Sequence, residues 1–346
     1  MLLTIKKLTI ENIKKKIDLL LKEAQFETLY FEYPTSKKGK YCFDSLVKKG
    51  NLVFLVKVFL NIDNLNQDII EAIKKLSLLL KSKPLLIGMK NRYQNLEENT
   101  IYVRDELPFI SLDTFENVLK SKIYPHILAR RGGGVIFLDG NLMKTLREQS
   151  DISRKEISEK LGVTKRTVCS YENESVRPSQ KIAEKILEIL EDKSIFRKIN
   201  LFEWNYKIHF HQKDESQLRE LTDFEINLQD IFEHIGMSTI WYKGEQVPFK
   251  LSLSSKNYIL GLDEEDKFYP LFSGVSQESE NKKLTTRGIN DLMKFASSFH
   301  KNALFIVNND FIIPDAFKKR KIPIIKLKNL ENMDNKEDFI GIFKSD

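Results

Sequence analysis

Cysteine is scarce in this 346-residue chain: only Cys42 and Cys169 occur, in unrelated contexts. Two isolated thiols cannot build a disulfide framework or a multi-cysteine zinc site, and they suit a reducing cytoplasm. Long apolar runs are missing too. None approaches the ~18 residues that a helix needs to cross a bilayer. The opening stretch, MLLTIKKLTIENIKKKIDLLLKEA, spreads lysines along its length and has no small-residue cleavage site. It reads as a strand and an amphipathic helix, not as a signal peptide. Neither sign of charge dominates: 56 Lys+Arg stand against 49 Asp+Glu, a net +7. That excess permits a polyanionic partner without establishing one.

What is present is an ordinary globular balance, 41% hydrophobic and 30% charged, in a chain long enough for two or three domains. The first region reads as mixed α/β. NLVFLVKVFLNI (51–62) is nearly continuous in apolar residues and so predicts a strand inside its sheet. The next stretch, 66–82, has helical spacing, with Ile69, Ile70, Ile73, Leu76 and Leu80 on one face. KPLLIGMK predicts another buried strand, and LPFISLDTFENVLK a short strand followed by a helix. Strand, helix and strand in that order argue for a parallel or mixed sheet.

The last region repeats the rhythm. FKLSLSSKNYILGLDEE reads as a hairpin ending in a buried strand. TTRGINDLMKFASSFHKN reads as a helix with Ile289, Leu292, Met293, Ala296 and Phe299 on one side, and ALFIVNN as a buried strand. Two local parallels stand out: LPFISLDTFENVL beside IPIIKLKNLENMD, and KPLLIGMKN beside NALFIVNND. They suggest a diverged internal duplication. The alternative is that any two α/β domains share this rhythm.

Between these regions, from 139 to 192, the strand signal disappears. RRGGGVIFLDG leads in, its three glycines marking a flexible or tightly turned junction before a brief strand. Four helices follow. The first is 141–150. The second, 153–162, opens on Ser153 with Glu156 three residues on, a capping box, and closes on Gly162. Thr164 caps the third, and Ser179 caps a fourth that carries Ile182, Ile186, Leu187 and Leu190 inward. Two short helices joined by a tight Gly-containing turn make a helix-turn-helix, whose second helix enters a major groove. The charges agree: Arg154, Lys155, Lys160, Lys165 and Arg166 outnumber Glu156 and Glu159 across this stretch. Lys165 and Arg166 fall in the first turn of the third helix, the part that meets base edges. Val168 should instead point inward, beside Ile157 and Leu161.

The run LREQSDISRKEISEKLGVTKRTVCSYENESVRPS resembles the Cro/repressor type of helix-turn-helix. That resemblance implies a structural ion pair between Arg147 and Glu172. It implies DNA contact through Arg154, Thr164, Lys165, Arg166, Thr167, Ser170 and Asn173, with Arg154 and Asn173 on phosphates and Lys165, Arg166 and Ser170 facing bases. Two residues depart from the pattern. Arg154 replaces the usual Gln at the head of helix two, and Glu174 replaces the usual Gly after helix three. The other reading of the motif is a helix-turn-helix used only for protein contacts. The order of an α/β domain, a glycine junction, this module and a second α/β region resembles the archaeal "putative HTH-type transcriptional regulatory protein" family.

The N-terminal unit, with a helix and then YCFDSLVKKGNLVFLVKV, resembles the restriction-endonuclease and Holliday-junction-resolvase type of fold. Such nucleases hold Mg²⁺ with an Asp and an acid-x-Lys triplet. Asp44 and Lys57 stand at suitable places, but Leu55 occupies the position of the second acid. Asp63 and Asp68 are the nearest substitutes, and in the last region Lys250 falls about where Asp44 would. An inactive scaffold is therefore expected, with a metal-dependent nuclease guided by the helix-turn-helix as the rival. Other features carry less. His209 and His211 share a strand face without a third ligand. Trp204 and Trp241 read as packing residues, and 132–134 lacks the helix start and Lys of a phosphate loop. The KKRK run at 318–321 reads as a solvated loop.

The sequence thus predicts an α/β and all-α multidomain protein. A Cro-like module at 131–195 would lie between two α/β, nuclease-like domains at 1–130 and 196–346. The expected role is a cytoplasmic, sequence-specific regulator that binds double-stranded DNA as a homodimer, with no catalysis, cofactor or metal. A small-molecule effector is left open.

Overall fold

The computed structural model describes residues 10–29, 41–130, 133–204, 221–259, 269–276, 286–313 and 322–343. In chain order the first part runs α1 (Ile10–Glu23), β1 (Glu27–Leu29), β2 (Ser45–Lys49), β3 (Leu52–Asn61), α2 (Gln67–Leu79) and β4 (Lys83–Lys90). It continues with β5 (Thr100–Arg104), β6 (Leu107–Ile110), α3 (Leu112–Ser121), β7 (Ile127–Arg130) and β8 (Gly133–Ile136). Four helices follow: α4 (Gly140–Gln149), α5 (Arg154–Leu161), α6 (Lys165–Glu172) and α7 (Gln180–Leu190). The last part holds α8 (Asp223–His234), β9 (Ser238–Trp241), β10 (Leu251–Ser254), β11 (Leu271–Ser276) and α9 (Thr286–Ser298), and then β12 (Ala303–Val307), β13 (Ile324–Lys326), α10 (Leu327–Glu331) and α11 (Lys336–Gly341). Contacts gather the chain into two compact units: Met1–Thr28 with Val56–Leu65 and Lys83–Ile208, and Leu29–Leu55 with Asn66–Ser82 and His209–Asp346.

In the first unit the strands lie in the order β4-β6-β5-β7-β8. β6 pairs parallel with β4 and antiparallel with β5, while β5 pairs parallel with β7 and β7 antiparallel with β8. Ser111 caps α3 by accepting the Thr114 amide at 3.0 Å, which turns the chain directly from β6 into helix. α1 buries Ile13, Ile17, Leu20 and Leu21, and Lys16 bonds Glu116 of α3 at 2.5 Å. The glycines at 133 and 134 form strand β8, paired with β7 through Arg130↔Gly133 and Ala129↔Gly134. That hairpin carries the four-helix module. Ile127 and Ile136 belong to the same apolar core as Met143, Ile157, Leu161, Val168, Ala183 and Ile186. The module therefore grows out of the sheet instead of hanging from it. Its exit is fastened as well: the Arg197 amide donates to Phe137 O at 2.8 Å, Ile199 to Pro125 O at 2.7 Å, and the His126 ring stacks on Phe196 at 5.5 Å.

In the second unit five strands lie in the order β13-β12-β11-β10-β9. β10 runs antiparallel to β9 and β11, while β11, β12 and β13 are mutually parallel. α9 buries Ile289, Leu292, Phe295 and Ala296. Within the stretch expected to form a hairpin ending in a strand, residues Lys256–Ile259 make a helical turn, and residues 260–268 lie outside the described residues. The Ser255 hydroxyl accepts the Tyr258 amide at 3.0 Å, a local cap that starts the turn. α2 buries Lys74, Lys75 and Ser77 in addition to its apolar face. Among the described residues no helix is long and apolar enough to cross a membrane.

Candidate nucleic-acid interface

The turn between α5 and α6 is set by four residues. Ser153 and Glu156 form a reciprocal capping box: the Ser153 hydroxyl accepts the Glu156 amide at 3.2 Å, and the Glu156 carboxylate accepts the Ser153 amide at 2.7 Å. Those hydrogen bonds hold the Glu156 carboxyl below its usual range. Gly162 ends α5 with φ 69°, the left-handed region where a Cβ would be strained. Thr164 then accepts the Thr167 amide at 3.1 Å and starts α6.

One face of α6 is locked. Val168 is wholly buried and Tyr171 nearly so, packed in the core with Ile157, Leu161 and Met143. Burial pushes the Tyr171 phenol up. Glu172 is buried beneath the same face, and its two carboxylate oxygens are shared between guanidiniums. Arg147 Nε lies 2.6 Å from Oε1 and Arg154 Nε 2.8 Å from Oε2. Arg147 also donates to Ile152 O at 2.9 Å and to Glu148 at 3.1 Å. The hydrogen bond to Glu172 raises the pKa of Arg154, whose side chain remains 43% exposed.

The other face of α6 is open. Thr164, Lys165, Arg166 and Asn173 are exposed, and Thr167 and Ser170 half-buried. Thr164 and Thr167 share a hydroxyl hydrogen bond of 2.9 Å, Ser170 donates to Arg166 O at 3.0 Å, and the Asn173 amide reaches Cys169 Sγ at 3.4 Å. No acidic residue stands in the first turn of α6. Two cations there oppose the helix macrodipole, a cost of about 0.3–1 kcal/mol each that an anionic partner relieves.

The corner that closes this face is built on Glu174, the residue that departs from the usual Gly of the pattern. Glu174 takes the left-handed conformation at φ 56°. Its carboxylate accepts the Gly140 amide at 3.2 Å and meets Arg197 at 2.5 Å. Gly140 lies so close to the end of α6 that a Cβ would fall 2.1 Å from Glu172 O. The sequence marks Glu174 as the departure, but shows its partner Gly140 only as part of the glycine junction.

The nuclease-type residues are placed differently. Leu55 sits wholly buried in β3 and offers no oxygen to a cation. Asp44 precedes β2 and Lys57 lies on β3, each half-buried. Asp63 pairs with the buried Arg104 at 2.6 Å and accepts the Arg92 amide at 3.0 Å. Asp68 meets Lys243 at 3.4 Å, and Lys250 meets Glu225 at 3.2 Å. A hard divalent cation needs several convergent oxygens, and a hydrocarbon at the acidic position of the triplet does not fit that need. His209, His211 and residues 318–321 lie outside the described residues.

Comparison with known proteins follows the same division. Residues 10–125 match the PD-(D/E)XK superfamily domain, and residues 143–195 match the helix-turn-helix family. The chain is 31% identical to a "Putative HTH-type transcriptional regulatory protein" of Methanobrevibacter smithii, over 87% of its own length and 88% of the relative's. Proteins of the same description from Methanococcus vannielii and Archaeoglobus fulgidus are 27% and 28% identical. Each alignment covers 88% of this chain, with 90% and 89% of the relative respectively. No solved structure matches.

Proposed function

We propose that this chain, which belongs to the archaeal "putative HTH-type transcriptional regulatory protein" family, is a sequence-specific DNA-binding regulator of transcription that inserts α6 into the major groove. The observation that carries the reading is the solvent face of α6, where Lys165 and Arg166 project from a helix whose opposite face is fixed by Val168, Tyr171 and Glu172. In this reading Lys165, Arg166 and Ser170 face bases, with Thr164 and Thr167 beside them, and Arg154 and Asn173 approach phosphates. A guanidinium on guanine O6 and N7 contributes about 1–3 kcal/mol of discrimination. One module covers one half-site, so the active species is a homodimer. The free thiols of Cys42 and Cys169 suit the cytoplasm.

The PD-(D/E)XK match is the observation that favours a nuclease. Against it stands Leu55, buried where the second carboxylate would be. The reading adopted is a non-catalytic scaffold, divided as 1–130, 131–195 for the module, and 196–346.

The second scaffold region is read as a diverged repeat of the first. The order α1-β1-β2-β3-α2-β4 recurs as α8-β9-β10-β11-α9-β12, with the helical turn Lys256–Ile259 added between β10 and β11, and α2 and α9 are each 13 residues long. Strand register supports it further. Aligning KPLLIGMKN with NALFIVNND, and LPFISLD with IPIIKLK, places Leu86↔Phe109 over Phe305↔Ile324 and Ile87↔Ile110 over Ile306↔Ile325. Those are the parallel pairs each sheet makes.

The test is selection from a random duplex library with purified protein, with and without Mg²⁺. An enriched inverted repeat on intact DNA supports the regulator. Metal-dependent cutting, or no sequence preference, contradicts it.

A further inference from the structure

We infer that the two scaffold repeats are joined through the same face of each, as a dimer held inside one chain. The inference rests on the repeat reading above. Its observations are a set of contacts within the second unit, each of which has a counterpart with the roles of the repeats exchanged.

The helix of each repeat receives the segment that leads into the second strand of the other. Toward α9, the Tyr41 hydroxyl reaches Asp291 at 3.4 Å, and the Phe43 ring lies 6.4 Å from that of Phe295. Toward α2, Lys75 donates to Trp241 O at 3.4 Å, and Lys243 meets Asp68 at 3.4 Å. The two leading segments also meet each other, where the Cys42 amide donates to Gln246 O at 2.7 Å. At the far end of the helices the exchange recurs. Lys48 donates to the carbonyl of Ser298, the last residue of α9, and its ammonium lies 4.9 Å from the Phe299 ring. Tyr258 donates to the carbonyl of Leu79, the last residue of α2, at 2.9 Å, and its own ring takes the Lys81 ammonium at 4.9 Å.

With both helices counted from their first residue, Asp291 and Phe295 fall at the positions of Ala72 and Leu76. Asp68, Ala72, Lys75, Leu76 and Leu79 recur at helical spacing along one stripe of α2. The contacts on α9 therefore occupy the stripe equivalent to those on α2. Contacts that map onto themselves when partners are exchanged are the mark of an isologous, two-fold interface. This also explains the burial of Lys75 on α2, whose ammonium is taken up by the Trp241 carbonyl of the other repeat.

The partner for this surface is thus the chain's own second half, and the surface is filled. Each chain carries two scaffold repeats and one helix-turn-helix, so a pair of chains bound at two half-sites has to meet through some other surface.

The experiment cuts the full-length protein at a protease site inserted in the polar run at 212–216, then follows the nicked chain by sedimentation at micromolar concentration. The halves should remain together at the mass of the intact chain. Lys48→Ala and Tyr258→Phe should weaken that association by similar factors, each about ten-fold or less. Asp68→Lys should weaken it a few-fold, with recovery on adding Lys243→Asp, which a misfolded variant would not give. Halves that part without any substitution overturn the internal pairing, while the DNA selection above is unaffected. Halves that hold while only one of the two reciprocal variants matters overturn the symmetry, and with it the repeat reading.

Discussion

Glu172 and Arg147 lie 2.6 Å apart with both side chains almost wholly buried, and this contact ties the end of α6 to α4. Removing one member of a buried pair strands the other charge, at about 3–5 kcal/mol. Arg147→Ala should therefore lower the unfolding free energy by that order in chemical denaturation. Arg154→Ala, at a half-exposed site, should cost clearly less. Equal losses in the two variants would contradict this account of the corner.

Gly140 is expected to tolerate no side chain. A Cβ there would meet the Glu172 carbonyl oxygen at 2.1 Å, and backbone cannot swing aside as a side-chain tip can. Gly162→Ala meets open space and bears only the left-handed strain, about 1–2 kcal/mol. Thermal melts should rank Gly140→Ala as the more damaging, and the reverse order would be contrary evidence.

Glu174 combines a strained backbone with a useful carboxylate. Glu174→Gly relieves the φ of 56° but gives up Arg197 and the Gly140 amide. The exposed ion pair is worth about 0–1 kcal/mol, close to the strain relieved, so the glycine variant should melt within a few degrees of the parent. Glu174→Ala keeps most of the strain and loses the bonds, and should be the less stable of the two. A glycine variant that melts far below the alanine variant would refute the argument.

His126 gives the fold a pH dependence of known sign. Burial, and then the charge of Lys193, hold its pKa below the ordinary imidazole value of 6.5. The unfolded chain therefore takes up the proton first. This contribution to stability is complete above the ordinary value and declines as pH falls through it, levelling below the folded pKa. His126→Gln should flatten the melting temperature between about pH 7 and pH 5 relative to the parent. An unchanged slope would assign that dependence to other groups.

Local signals were legible in the sequence. Ser153 with Glu156, Gly162, Thr164 and Ser179 mark helix ends through bonds made within three or four residues, and the structure makes those bonds. The continuous apolar run of KPLLIGMK sufficed for β4, and that of ALFIVNN for β12. What was not legible depends on distant partners. The spacing of α2 predicted an amphipathic helix, but Lys75 is buried because Trp241 of the other repeat lies over it. Phe295 was missed on α9 although it is wholly buried and central to an aromatic cluster with Phe249 and Phe272. The turn at 256–259 took a helical form that the apolar spacing did not signal, fixed by the Ser255 cap. Glu174 broke a familiar pattern in the sequence, and only the positions of Arg197 and Gly140 explain how the chain accommodates it.

The most direct test is a binding titration of the Lys165→Ala/Arg166→Ala protein against its selected duplex and against a scrambled one, beside a melt of the same protein. The account predicts a melting temperature equal to or slightly above that of the parent, since two cations leave a helix N-terminus. It predicts that preference for the selected duplex falls on the order of ten- to hundred-fold or more, with weak salt-dependent binding retained. A double variant that folds and still discriminates as the parent does would remove α6 from the groove.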